Sequence, residues 1–374
     1  MCIAAKYSVA LRHLLQRSLM IIPAIIFHYR DLPDVSRAGA IGYSAPTFRM
    51  EAVMRGALMV LMLLAVASAS ANAQESKYYD LPRGDYPHDV AAGPSGEVWY
   101  SGQSLGIAGR LDPVTGKIDR IPLGKNSAPH GVIIGPDGAP WFTDGGQNAI
   151  VRVDPATKEI KTWRLPRERM YANLNTAAFD GRGRIWFTGQ NGIFGRLNPT
   201  TGDMHIWDAP KGPGPYGITS TPTGGIWFVS LAGSYLANVD LETGVATIYE
   251  PPTREQGARR VWSDSKGRLW ISEWNSGNVS VYDPNGKSWK HWKLPGENPR
   301  TYAVWVDPDD KVWLSEWAAN AIARFDPTTE KFESFPSDRK NANVRQLLGR
   351  KGETWIAESG TGRIRVIRHL AGND

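Results

Sequence analysis

Two histidines, His88 and His130, stand eleven residues before two tryptophans, Trp99 and Trp141. The same offset from Trp186, Trp227, Trp270, Trp313 and Trp355 selects Asn175, Tyr216, Arg259, Tyr302 and Val344, or Arg345 if the last turn is one residue shorter. Six of the seven are bulky and polar, where a core position would need neither. A neutral imidazole can take a proton or hold a cation. Arginines together with tyrosines and tryptophans could clasp an anionic or aromatic ligand or a protein loop. A second set lies three residues after each tryptophan: Gly102, Asp144, Gly189, Ser230, Glu273, Glu316 and Glu358. Carboxylates there could ligate a divalent ion or move protons. They could equally be solvated loop ends in weak surface ion pairs.

These residue types give three candidate groups. His130, Asp144 and His88 are the expected base and cation ligands of a catalytic centre. Asn175, Tyr216, Arg259, Arg300, Tyr302, Arg345, Trp274 and Trp317 are the expected ligand-binding set, the last two each following Glu in Ser-Glu-Trp. Glu273, Glu316 and Glu358 are the expected metal set. The competing reading is a polar lining that only solvates a channel. The chain has no His-Glu-x-x-His pair, phosphate-loop string or Gly-x-Ser-x-Gly elbow. Its single cysteine, Cys2, offers no internal disulfide.

Corresponding residues converge only if the repeats carrying them surround a common centre. The seven tryptophans are spaced 42, 45, 41, 43, 43 and 42 residues apart, and glycine stands three before each except at Asp310. A period of about 40–45 residues marks a propeller blade of four strands. In Pro129 to Pro166, apolar and β-branched runs alternate with the turn Gly135-Pro-Asp-Gly138 and the turn Asp154-Pro-Ala-Thr-Lys158. Helical periodicity is absent. Six repeats contain all four strands, while the seventh ends after its third, Arg363 to Leu370. The missing strand is Lys77 to Pro82, at the other end. The expected fold is therefore all-β, a seven-bladed β-propeller closed by an N-terminal strand, which leaves no open sheet edge.

The first residues fall outside this fold. Met54-Arg55, the apolar run Ala57 to Ala67 and the small residues ending at Ala73 form a secretory signal. Its core is shorter than the roughly 20 residues that span a bilayer. We expect residues 1–49 to be an over-long gene-model extension, 50–73 the signal peptide and 74–374 the propeller. The destination is then periplasmic or secreted, and the mature protein a monomer with no membrane span. Seven of the 43 Lys and Arg and three of the 37 Asp and Glu precede Gln74, leaving 36 against 34. A charge near +2 with no basic tract excludes nucleic acid as the expected partner. A small molecule or peptide at the axial mouth is expected instead.

Pro-His-Gly-Val at Pro129, then Pro-Asp-Gly, Trp-Phe-Thr-Asp and Asn-Ala-Ile through Val153, resembles a blade of the streptogramin B lyase (virginiamycin B lyase) family. Gly214 to Val229 and Trp313 to Arg324 are similar, and the likeness spans Lys77 to Leu370. The resemblance implies linearisation of a cyclic depsipeptide by elimination, with a base for the α-proton and magnesium on the enolate oxygen. It places histidines and glutamates of the last two blades in that site. Here the family's first histidine falls on Tyr302, and its Glu-Pro-His on Asn343-Val344-Arg345. Its last glutamate falls on Glu358 or Ser359. At most one of four groups is kept. Two expectations follow: a lyase with its chemistry moved to His88, His130 and Asp144, or a non-catalytic binding module using the arginines and aromatics. A metal-dependent lactonase shares the architecture, but its metal set is not recognisable by spacing.

Overall fold

The computed structural model describes residues 75–369, all but two short 3-10 turns being strand or connecting loop. The expected leader (1–49), signal peptide (50–73) and Gln74 lie outside the described residues. Seven four-stranded antiparallel sheets follow one another in the chain. Blades one to six each use four consecutive strands. Blade seven takes Val344–Arg350, Glu353–Glu358 and Arg363–Arg368 from one end and Glu75–Asp80 from the other. In that last sheet Tyr78 lies beside Arg365 and Tyr79 beside Ile364. The ring is continuous at the seam, where Val90 N–H donates to Gln346 Oε1 across 3.2 Å.

Each repeat tryptophan sits in the second strand of its blade, on the face that packs against a neighbour, and all seven are buried. An indole of this size gains roughly 4–6 kcal/mol on leaving water, before entropy is counted. The buried N–H then needs an acceptor. The turn before the strand supplies one in Asp180 for Trp186 (2.8 Å), Asp264 for Trp270 (2.9 Å) and Asp307 for Trp313 (2.8 Å), and the first residue of the strand itself, Glu353, does so for Trp355 (3.0 Å). The preceding glycine completes the turn with positive φ, as at Gly138 (75°) and Gly267 (77°).

A second repeated device aims residues at the axis. Two positions after the tryptophan stands a buried hydroxyl, as at Ser101, Thr143, Thr188 and Ser272. It accepts an N–H from its own innermost strand and donates to a carbonyl of the next blade: Ser101 to His130 O (2.6 Å), Thr143 to Asn175 O (2.5 Å), Ser272 to Tyr302 O (2.6 Å). Six of the seven innermost strands slip register at this point, in blades two, three, five and six beside such a hydroxyl and in blades four and seven beside Val229 and Ala357. Such a bulge turns adjacent residues out of strict alternation. Consecutive side chains such as Arg259 and Arg260 therefore both reach the channel.

Candidate functional site

The channel has three levels. At the upper end the residues eleven before the tryptophans do converge, but as a packed plug. His88, His130, Asn175, Tyr216 and Tyr302 are all buried, so the expectation of an open polar mouth is corrected. The His88 and His130 rings, and the Tyr216 and Tyr302 rings, face one another. His88 and His130 have ring centroids 3.9 Å apart, and the Tyr216 and Tyr302 hydroxyls share a 2.6 Å hydrogen bond. Val344 is buried, and Arg345 beside it takes the half-exposed place in blade seven.

The plug fixes both imidazoles. His88 Nδ1 lies 2.8 Å from Asp89 Oδ1, and His130 Nδ1 lies 3.1 Å from the Asn175 carbonyl. Each partner is an acceptor, so each ring carries its proton on Nδ1 and keeps a lone pair on Nε2. Burial, with the nearby charges of Arg260, Arg345 and Arg259, pushes the His88 pKa well below its ordinary value. Burial and His88 do the same to His130. The His88–Asp89 contact is thus a hydrogen bond that the Nδ1–H of a neutral ring donates to the carboxylate.

The second level consists of residues that spacing did not single out. Arg260 Nη2 donates to both oxygens of Asp89, at 3.0 and 3.2 Å, between blades five and one. Arg260 is 5% exposed and Asp89 1%. Burial pushes the Asp89 carboxyl up despite the guanidinium beside it. A sequence signal for this pair is the serine two after the tryptophan in blades one and five, since Ser101 and Ser272 accept the backbone N–H groups of Asp89 and Arg260. Below the pair the channel opens into a cavity of about 450 Å³ lined by Ile133, Phe179, Trp262, Trp305 and Leu348.

The expected ligand-binding residues of blades four to seven come together, while Asn175 lies in the histidine sector. The guanidinium carbon of Arg259 lies 3.6 Å from the ring centroid of Tyr302, 4.7 Å from Trp274 and 4.9 Å from Tyr216. Trp274 meets Trp317 edge to face at 5.5 Å, and Trp317 stacks on Tyr302 at 5.3 Å. Arg345 and Arg300 lie over the outer rings, 5.6 Å from Trp317 and 5.8 Å from Trp274. Among the described residues no carboxylate forms a salt bridge with Arg259, Arg300 or Arg345. Beside Arg345 a cleft of about 270 Å³ runs to His88, with Tyr86, Gln103 and Ser359 on its walls.

The expected metal set does not assemble. Glu316 Oε1 accepts the N–H groups of Arg300 (2.7 Å) and Ala318 (3.0 Å), and Oε2 accepts that of Ala319. Glu358 is bound by Ser337 (2.9 Å), Thr361 (2.8 Å) and Arg363 (2.6 Å), and Glu273 by Ser276 and Asn278. Asp144 likewise accepts from Ala128, Gly146 and Gln147 N–H groups, away from the two histidines it was expected to join. Even Ser230, at the same repeat position, accepts from Gly233 N–H (2.9 Å). This position holds the loop between the second and third strands of its own blade. Among the described residues His88, Asp89 and His130 are the one group of three possible ligands, within 4.8 Å of one another. They do not fit magnesium, which prefers oxygen ligands: the trio offers two nitrogens and a carboxylate already taken by Arg260.

The sheets and the channel they surround define a seven-bladed β-propeller that is plugged at one end of its axis. The chain belongs to the virginiamycin B lyase family, whose profile matches residues 64–298, more than half of the sequence. That match ends before the innermost strand of blade six, Thr301–Val306. No curated protein matches the chain in sequence. Among solved structures, virginiamycin B lyase from Staphylococcus aureus superposes with a TM-score of 0.73 at 22% identity, over 79% of this chain and 99% of that one. A catalytically inactive form of the same enzyme with quinupristin gives 0.72 at 23%, over 79% and 99%. The extracellular domain of a hybrid two-component system from B. thetaiotaomicron gives 0.65 at 12%, over 80% of this chain and 44% of that one. At these identities the likeness to solved structures concerns the fold. No helix among the described residues is long and apolar enough to cross a membrane.

Proposed function

We propose that this family member is an exported, monomeric binding protein whose upper mouth, at blades five to seven, holds an anionic ligand with a planar body. One observation carries the reading: Arg259, Arg300 and Arg345, from three successive blades, surround Trp274, Trp317 and Tyr302 without a carboxylate partner. A guanidinium so placed gains about 2 kcal/mol or more from the ring faces when desolvated, and keeps in-plane donors for oxyanions. Export is supported by the signal at residues 50–73 and by the likeness to an extracellular domain. The test is calorimetric titration with benzene-1,3,5-tricarboxylate. Saturable binding that falls at least tenfold in both Arg259→Ala and Arg345→Ala supports the proposal. Absent binding, or binding unchanged in both variants, removes it.

A second reading keeps the family's chemistry. It is favoured by the Asp89 bond to His88 Nδ1 (2.8 Å), which leaves Nε2 with its lone pair, and by the Arg345 cleft that His88 borders. The imidazole would take the α-proton and the arginine would face the developing enolate. Virginiamycin B, incubated with the protein and magnesium, would then shift in chromatographic retention at constant mass, because elimination yields an isomer. Unchanged retention at high protein concentration eliminates this reading.

A further inference from the structure

The lower end of the channel is a second site that neither reading uses. All seven blades contribute to the cavity of about 450 Å³, whose lining side chains are apolar except for Thr219 and Ser220, with polar main-chain surface between them. This volume lies within the range of small-molecule sites, roughly 300–1,000 Å³. Half-buried Ile133, Ile134, Phe179 and Trp262 turn their apolar surface into it. The cavity narrows to a throat of about 30 Å³ that shares Ile133, Ile218, Trp262 and Leu348 with it and is floored by Arg260, Asp89 and Gln346.

The floor has more donors than acceptors. Both hydrogen bonds of Arg260 leave from Nη2, and its buried Nε has no partner. Gln346 spends its Oε1 on Val90 N–H, which leaves its amide N–H groups as further donors. A buried donor without an acceptor is unfavourable, so a ligand that brings acceptors recovers that loss. The throat has room for roughly two water-sized groups, the number of oxygens in a carboxylate. We propose that the lower funnel binds a small monocarboxylate with an apolar body, its head on the free edge of Arg260 and its body against Trp262, Trp305 and Phe179.

Titration calorimetry of the full chain with octanoate, and with octan-1-ol as the neutral control, tests this. Octanoate should bind one to one, and octan-1-ol at least tenfold more weakly. Ala92→Trp and Ser220→Trp fill the funnel from blades one and four, and each should weaken octanoate at least tenfold while keeping the circular dichroism of the parent. If one variant misfolds, the other is read. If both misfold, quenching of the parent's tryptophan fluorescence by 8-bromooctanoate, diminished in Trp262→Phe, decides for the proposal, and undiminished quenching decides against it. Absent octanoate binding, equal binding by octan-1-ol, or parent-like binding by a folded blocked variant overturns it. So does binding of an N-acetylated apolar tripeptide acid without octanoate binding, which would assign the funnel to a chain terminus.

Discussion

Arg260 crosses the channel to Asp89, Nη2 to both carboxylate oxygens at 3.0 and 3.2 Å, although the two residues are 171 positions apart in the sequence. Removing one partner leaves the other charge buried alone, at a cost of about 3–5 kcal/mol. Asp89→Asn and Arg260→Met should each lose about that much in chemical denaturation. The double variant Asp89→Leu with Arg260→Met should lose less than either, because no orphan charge remains. Equal or additive losses would show that the pair is not coupled.

The buried imidazoles set a pH dependence. His88 and His130 have folded pKa values depressed well below their ordinary 6.5. The unfolded chain therefore binds more protons, and the stabilisation is complete above about pH 6.5 and lost as pH falls toward the folded values. Each group steepens the loss by up to about 1.4 kcal/mol per pH unit. Melting temperature should drop sharply between pH 7 and 5, and His130→Asn should flatten the drop. A parent profile level across that range would mean that the two rings ionise freely.

The glutamates are expected to act within their own loops. Glu316→Ala removes the acceptor for the Arg300, Ala318 and Ala319 N–H groups and should cost about 1–3 kcal/mol. The near-ultraviolet dichroism should change with it, since Trp317 follows directly. Millimolar magnesium should leave the parent's melting temperature in place. A saturable rise, abolished by Glu316→Gln, would restore these carboxylates as ion ligands.

Closure of blade seven is testable from the other end of the chain. Tyr79 is buried beside Trp355, with ring centroids 5.9 Å apart. Tyr79→Ala should cost about 3 kcal/mol. Deleting residues 75–80 should expose the edge of Arg363–Arg368 and produce concentration-dependent association in light scattering. A deleted chain that stays monomeric with parent stability would mean that the strand is dispensable.

The architecture was legible because tryptophan recurs in every blade, with glycine three before it in all but blade six, where Asp310 takes the same positive φ. The upper channel residues were legible by position but not by environment. The spacing that selects His88 and Tyr302 cannot say whether facing rings leave a gap, and here they close on one another. Asp89 and Arg260 escaped because strict alternation sends the neighbour of a channel residue elsewhere, and the bulge breaks that rule. Glu273, Glu316 and Glu358 were ambiguous for a chemical reason. A carboxylate is suited both to a cation and to three loop N–H groups, and the choice depends on partners distant in sequence.

The strand exchange in the seventh sheet has a consequence for biogenesis. Glu75 lies beside Arg368, so six wedges can be completed in order while the last waits for nearly the whole polypeptide to emerge. Until then the earliest strand has no berth and the toroid has no latch. A chain that lacks either residues 75–80 or residues 363–368 loses the same clasp, which makes these two segments jointly a condition of a sealed circle.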